Sequence, residues 1–294
     1  MSRVDEYPSR NGGEERILTR KDPVVWTDGR RLGSYSLSHD QLETYEKNGF
    51  IKFDGLLKDL VEPLREEFER LSQELEGRPE HIAEPNRPGE ARSLFAVHRS
   101  SPIADKLSRD PRVLDIVKQF LGEDVYLHQS RINIKPALTG KSFPWHSDFE
   151  TWHVEDGVPR LRILSAWIML TENNPLNGPL YVIPGSHKNY LSCVGETPEN
   201  HFDQSLKQQK YGTPSGEGLL SLAPNREINM VTGPPGTLVF HDGNLMHGSP
   251  DNISLDSRTN LFLVYNSMEN QAEEPFGGQP PRPSFLRTSD PKPL

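Results

Sequence analysis

Val125-Tyr126-Leu127-His128-Gln129-Ser130-Arg131-Ile132-Asn133-Ile134-Lys135 decides how the rest of the chain is read. Apolar and polar side chains alternate along it, the period of two that sends successive residues to opposite faces of a strand. Tyr126, Ile132 and Ile134 fall on one side, and Leu127, Gln129, Arg131, Asn133 and Lys135 on the other. A face this polar looks onto solvent or onto a polar cavity. His146 and Asp148 follow within a short distance of Lys135 and favour the cavity.

Downstream of this segment the signals stay β. Strands are expected over 161–170, 179–183, 236–241 and 259–266, separated by turns such as Asn177-Gly178-Pro179 and Pro184-Gly185-Ser186. Upstream they are mostly helical. Ser38 and Gln41 have capping-box spacing and Asn48-Gly49 supplies a stop, so 39–48 reads as a helix, with a short strand over 50–53. Over 58–76 the positions Leu60, Val61, Leu64, Phe68, Leu71 and Leu75 recur every three or four residues, a stripe suited to packing on a sheet. Asp110-Pro111 opens a further helix that Gly122 ends, while 77–101, rich in Pro, Arg and Glu, reads as a mobile loop. Helices followed by strands indicate a mainly β fold, an antiparallel sandwich or barrel with helices packed outside. Three parts are expected: a polar surface arm over 1–35, the β-rich domain over 36–270, and a Pro-rich tail over 271–294, disordered or draped on the surface.

Composition narrows the function. The 294 residues carry 33 Lys+Arg against 42 Asp+Glu, a formal net charge of −9, which argues against a groove for nucleic acid. No apolar run approaches the ~18 residues of a membrane span and the start lacks a secretion signal, so the cytoplasm is the expected address. The single cysteine, Cys193, can form neither an internal disulfide nor a Cys-rich zinc module. Any metal is left to histidines and carboxylates.

A non-haem iron(II) oxygenase needs two imidazoles and one carboxylate on one octahedral face. His146 and Asp148 would project to the same side of a strand, and His247 supplies the distant third ligand. Arg258, eleven residues after His247, can grip the far carboxylate of a dicarboxylate bidentately, a contact of ~1.5–3 kcal/mol. His153-Val154-Glu155 is a second pair of the same form, read as a helical or loop feature; His187 and His241 are alternative ligands, and His241 borders the cavity in either case. The segment 187–235 is a candidate lid. The triad together with Arg258 argues against a metal-binding sensor on the same barrel, and a zinc hydrolase would have no use for Arg258.

The stretch Phe143-Pro144-Trp145-His146-Ser147-Asp148-Phe149-Glu150-Thr151-Trp152-His153-Val154-Glu155-Asp156-Gly157 resembles the signature of ectoine hydroxylases, a branch of the phytanoyl-CoA-hydroxylase-like iron(II)/2-oxoglutarate dioxygenases. The likeness extends through Tyr181-Val182-Ile183-Pro184-Gly185-Ser186-His187, Met246-His247-Gly248-Ser249 and Val264-Tyr265-Asn266-Ser267. It implies a double-stranded β-helix (jelly roll, cupin-like), a homodimer, and conversion of ectoine to 5-hydroxyectoine with Fe(II), 2-oxoglutarate and O2. It implies that His146, Asp148 and His247 hold the iron; that Arg258 and Lys135, with Asn133, Phe143 and Ser165, surround 2-oxoglutarate; and that Gln129, Trp152 and Phe262 surround ectoine. Related halogenases replace the metal-binding Asp with a small residue. Asp148 is present here, which favours hydroxylation.

Overall fold

Local chemistry sets the ends of the elements. Ser38 accepts from Gln41 N while the Gln41 side chain accepts from Ser38 N, a complete capping box for α1 (His39–Asn48). Gly49 closes that helix at φ 80°, and a Cβ there would lie 2.5 Å from His187 Nδ1, so glycine is needed for space as well as conformation. The computed structural model describes residues 4–27, 30, 32–84, 87–122, 124–198 and 211–294. Strand β1 (Arg16–Thr19) precedes α1; β2 (Phe50–Phe53), α2 (Val61–Glu74), β3 (His81–Glu84), β4 (Arg87–Phe95), α3 (Val97–Ser100), α4 (Pro102–Ser108) and α5 (Pro111–Leu121) follow it. Next come β5 (Val125–Lys135), β6 (Phe143–His146) and the short α6 (Asp148–Thr151), which runs into a π-helical turn, Trp152–Asp156. The remainder is β7 (Ile163–Met169), β8 (Leu180–Val182), β9 (Asn189–Ser192), α7 (Gly216–Leu222), β10 (Asn229–Val231), β11 (Leu238–Asp242), β12 (His247–Ser249) and β13 (Arg258–Ser267).

The strands form a seven-stranded antiparallel sheet, β2-β11-β7-β13-β5-β4-β3, and a four-stranded one, β10-β8-β12-β6. Parity along the large sheet divides its side chains cleanly. Ala166, Ile168, Phe240, Leu261 and Leu263 point outward onto Tyr45, Leu64, Val113, Val117 and Phe120 of the flanking helices. Their neighbours Trp167, Met169, Val239 and Phe262 point inward and meet Leu180, Val182 and Val231 of the small sheet. The result is a jelly roll covered by helices on one side, mainly β as the sequence predicts.

Four expectations change. A β-bulge leaves His128 without an opposite number, because Gln129 pairs with Val264 while Leu127 pairs with Tyr265. The extra residue reverses the parity, so Leu127 joins Val125 and Ile132 in the helix-side core and leaves the polar face. Within 77–101, expected as a mobile loop, β3 and β4 form a hairpin, and Ser93, Leu94 and Phe95 pair with Asn133, Ile132 and Arg131. The segment 187–235 contains β9, α7 and β10, and none of its described residues lines the two cavities of the site; residues 199–210 of the expected lid lie outside the described residues. The arm does not lie on the surface: Tyr7, Ser9 and Arg10 are buried, and β1 pairs with β9. The tail is draped, with Leu286 fully buried and Thr288 N donating to His128 O.

Candidate active site

His146 and His247 face each other across the β6–β12 ladder, directly in register, with ring centroids 4.2 Å apart. Asp148 reaches them by a different route from the one its spacing suggests. β6 ends at His146 and Asp148 opens α6, so the pair is not two same-face residues of one strand. The chain turns between them, where Phe149 N and Ser147 Oγ donate to Gly243 O.

The three side chains offer ligand atoms that all lie within 4.8 Å of one another. His146 Nδ1 is 2.8 Å from Pro144 O and His247 Nδ1 is 2.8 Å from Leu245 O. A ring nitrogen that close to a carbonyl must carry the hydrogen, so each Nε2 presents a lone pair. Burial pushes His247 down to about 3, which keeps that lone pair at pH 7. The carboxylate bridges the rings, with Oδ1 3.7 Å from His146 Nε2 and Oδ2 3.8 Å from His247 Nε2. Burial alone would raise the Asp148 pKa; the surrounding imidazoles, His247 foremost, and the Arg131 guanidinium outweigh it and hold the group well below the carboxylate range. Two bare imidazole nitrogens facing a buried anion suit a divalent metal ion.

A chamber opens on either side. One is lined by Arg258, Lys135, Phe262, His146 and His247. Arg258 is 4 % exposed, its Nη1 donates to Gly178 O, and its buried Nε has no hydrogen-bond partner. Burial, with Arg131 nearby, lowers its pKa to about 10. Lys135 Nζ donates to Ser249 Oγ and Pro250 O, and burial, followed by the charge of Arg258, pushes it down to about 6. Clustered buried donors of positive sign call for an anion. The other chamber is lined by Gln129, Trp152, Asp148, Glu155 and Arg282. Arg92, Arg131, Asn133, Phe143 and His146 line both.

Two assignments move. Phe262, expected beside ectoine, lines the chamber of Arg258, stacks on Trp167 and lies 5.0 Å beneath the Arg131 guanidinium. Ser165, expected beside 2-oxoglutarate, is 1 % exposed, paired in register with His241 and Val264, and lines neither chamber. Three arginines, Arg92, Arg131 and Arg282, were missed. Arg131 was legible as the inward residue between Gln129 and Asn133. Arg282, held by Asp156 through Nε and Nη2, had no signal within a Pro-rich tail. His153 hydrogen-bonds Val158 O and Asp5 away from the metal ligands, and His187 bonds Glu46 O, so neither joins them.

The profile of the phytanoyl-CoA dioxygenase (PhyH) family matches residues 45–260, a span that includes all three metal-ligand candidates and Arg258. The chain belongs to the phytanoyl-CoA dioxygenase family. Within reach of this family the similarity is close and nearly full-length. An ectoine dioxygenase from Bordetella bronchiseptica is 48% identical over 287 residues, 97% of this chain and 92% of the relative. The crystal structure of EctD from S. alaskensis with 2-oxoglutarate and 5-hydroxyectoine superposes with a TM-score of 0.85 at 40% identity, covering 99% of this chain and 96% of that one. The same enzyme with bound Fe gives a TM-score of 0.82, covering 97% of this chain and 94% of that one.

Proposed function

We propose that this chain is an ectoine 5-hydroxylase, coupling oxidative decarboxylation of 2-oxoglutarate to hydroxylation of L-ectoine and giving 5-hydroxyectoine, succinate and CO2. The observation that carries this is a cationic chamber and a mixed-charge aromatic chamber meeting at His146, Asp148 and His247. The three side chains would hold Fe(II), which when bound supplies oxygen activation and oxidising power. Arg258 and Lys135 would grip the distal carboxylate of 2-oxoglutarate, with Asn133 Oδ1 accepting from Arg258 Nη2 to fix the guanidinium. Gln129 Nε2 donates to Leu286 O, which turns Oε1 toward an N–H donor such as the ectoine amidinium. Trp152 offers that cation an aromatic face. The geometry aims the substrate and keeps bulk water out.

The test is anaerobic incubation with Fe(II), 2-oxoglutarate and ectoine, then oxygen, with mass analysis for a gain of one oxygen atom. No gain with ectoine, but a gain with another small cationic solute, would transfer the activity to that solute. The chambers also predict a split. Arg258→Ala should raise KM for 2-oxoglutarate about tenfold or more, the ~1.5–3 kcal/mol of a charge-assisted contact, with little change in KM for ectoine. Trp152→Ala should do the reverse. Equal losses for both substrates in both variants would remove the two-chamber assignment.

Lys135 adds a pH prediction. Its pKa of about 6 leaves it largely uncharged at pH 7.5, and a bound dianion would raise it toward the ordinary lysine range. Binding of 2-oxoglutarate should therefore take up a proton, and affinity should fall as pH rises above about 6. Calorimetry at pH 7.5 in two buffers of different ionisation enthalpy reads the uptake directly; identical heats would argue that Lys135 is already charged.

The proposal includes a homodimer in the cytoplasm. No helix among the described residues is long and apolar enough to cross a membrane. Exposed Leu138, Leu176, Ile253 and Leu255 sit on loops tied together by Leu138 N to Ser254 O and Ile253 N to Leu176 O, an apolar surface a second copy would cover. Light scattering that returns one chain's mass would remove the dimer.

A further inference from the structure

A fourth imidazole stands beside the metal-ligand candidates and differs from them in which nitrogen carries the hydrogen. His241, on β11, is 2 % exposed, and its ring centroid lies 5.2 Å from that of His247. The indole N–H of Trp167, on the paired strand β7, donates to His241 Nδ1 at 3.1 Å. An indole nitrogen can only donate, so Nδ1 must offer its lone pair and the ring hydrogen must sit on Nε2. That Nε2 is buried, has no hydrogen-bond partner, and faces Asp148 Oδ2 at 3.5 Å.

His146 and His247 are held the other way round. Backbone carbonyls take the hydrogens at Nδ1 and leave both Nε2 atoms bare. Around one carboxylate the fold has thus set two lone pairs and one N–H. For His241 to bind a metal through Nε2, its hydrogen would have to move to Nδ1 and collide with the indole N–H. Trp167 thereby excludes His241 from the ligand set and fixes it as a donor.

We propose that His241 is a positioning residue for Asp148, its Nε2–H directed at Oδ2 so that one carboxylate oxygen is held by the protein and the other is offered to the metal, with Trp167 setting the tautomer. This rests on the reading of His146, Asp148 and His247 as a metal centre. Donors of this kind behind a ligand commonly contribute about 10–100-fold to metal affinity.

The experiment uses the full-length apo-protein and Co(II) as a visible probe. Co(II) titration followed by d–d absorption should show His241→Phe weakened by about 10–100-fold, with His241→Gln, whose amide can donate in the same direction, within about threefold of the parent. Long-range proton–nitrogen NMR of histidine-labelled protein should report hydrogen on Nε2 of His241, and Trp167→Phe should turn that single form into a mixture. A folded His241→Phe that binds Co(II) like the parent overturns the proposal, as does hydrogen found on Nδ1. Should His241→Phe fail to fold, the NMR comparison and His241→Gln decide alone, and a hundredfold loss in the Gln variant counts against positioning. A parent chain that takes up no Co(II) overturns the metal centre itself, and the proposal with it.

Discussion

Asp148→Ala is expected to abolish hydroxylation, lowering turnover by about a thousandfold or more, which corresponds to at least ~4 kcal/mol of lost transition-state stabilisation. Asp148 is the sole anion among the three metal-ligand candidates, and the Nε2 atoms of His146 and His247 converge on it. Alanine leaves two imidazoles and no charge to offset a divalent cation. Metal binding should weaken in the same variant, which Co(II) absorption reads without any turnover. The fold should survive, because the backbone turn after His146 is held by Phe149 N and Ser147 Oγ on Gly243 O and not by the carboxylate. Thermal unfolding of the apo-protein should move by only a few degrees, downward if anything, since the surroundings that hold the Asp148 pKa low stabilise the anion in the fold. Full activity in a folded Asp148→Ala would exclude the metal centre as built here; added chloride that restores turnover as halogenation would instead show that the open position can be filled by an exogenous anion.

The sequence is explicit where a structural consequence depends on neighbours a few residues away. Ser38 with Gln41, Asp110 with Pro111, and the terminators Gly49 and Gly122 cap α1 and α5 as their spacing predicts. Of the large sheet, β5 is legible because apolar and polar residues alternate along it, and β7, β11 and β13 because turn residues bound them. His146, Asp148 and His247 are singled out by their order ahead of Arg258 and by the resemblance of the stretch around them, since residue type alone leaves His153, His187 and His241 open. What escapes is whatever depends on distant partners. The bulge at His128 costs one residue of register and moves Leu127 to the opposite face, with no local mark to announce it. The resemblance named Phe262 and Ser165, but it does not say which chamber an inward residue meets, or whether it meets one. β4 reads as loop because Pro88, Gly89 and Arg92 break the apolar pattern; Arg92 and Ser93 are polar because they line the site. Arg282 and Arg10 look like ordinary solvated charges until the fold supplies Asp156 to the first and Glu150 and Glu155 to the second.

Arg10 gives the clearest consequence of that last kind. A residue in a polar arm would be replaceable at no cost, yet Arg10→Ala is expected to destabilise the protein by about 3–5 kcal/mol, the usual effect of removing one partner of a buried ion pair. The guanidinium donates through Nε and Nη2 to Glu150 at 2.9 and 2.5 Å, and through Nη1 to Glu155 at 2.5 Å and Thr197 Oγ1 at 3.1 Å. All three charged side chains are at most 3 % exposed. Ser9 Oγ still reaches Glu150, and Arg282 Nε lies 3.7 Å from Glu155 Oε2, so the carboxylates are not wholly abandoned, but the charge that matched them is. At roughly 2 °C or more per kcal/mol for a chain of this size, the melting temperature should drop by about 6–15 °C. Replacing all three charges, as Arg10→Met with Glu150→Gln and Glu155→Gln, should recover most of the loss, since no unmatched charge remains in the interior. Glu155 also lines the chamber of Gln129 and Trp152, so the single variant should lose affinity for ectoine before it loses affinity for 2-oxoglutarate. A melting temperature within 2 °C of the parent at pH 8 would mean that water reaches these carboxylates and that the arm is the detachable surface segment its composition suggests.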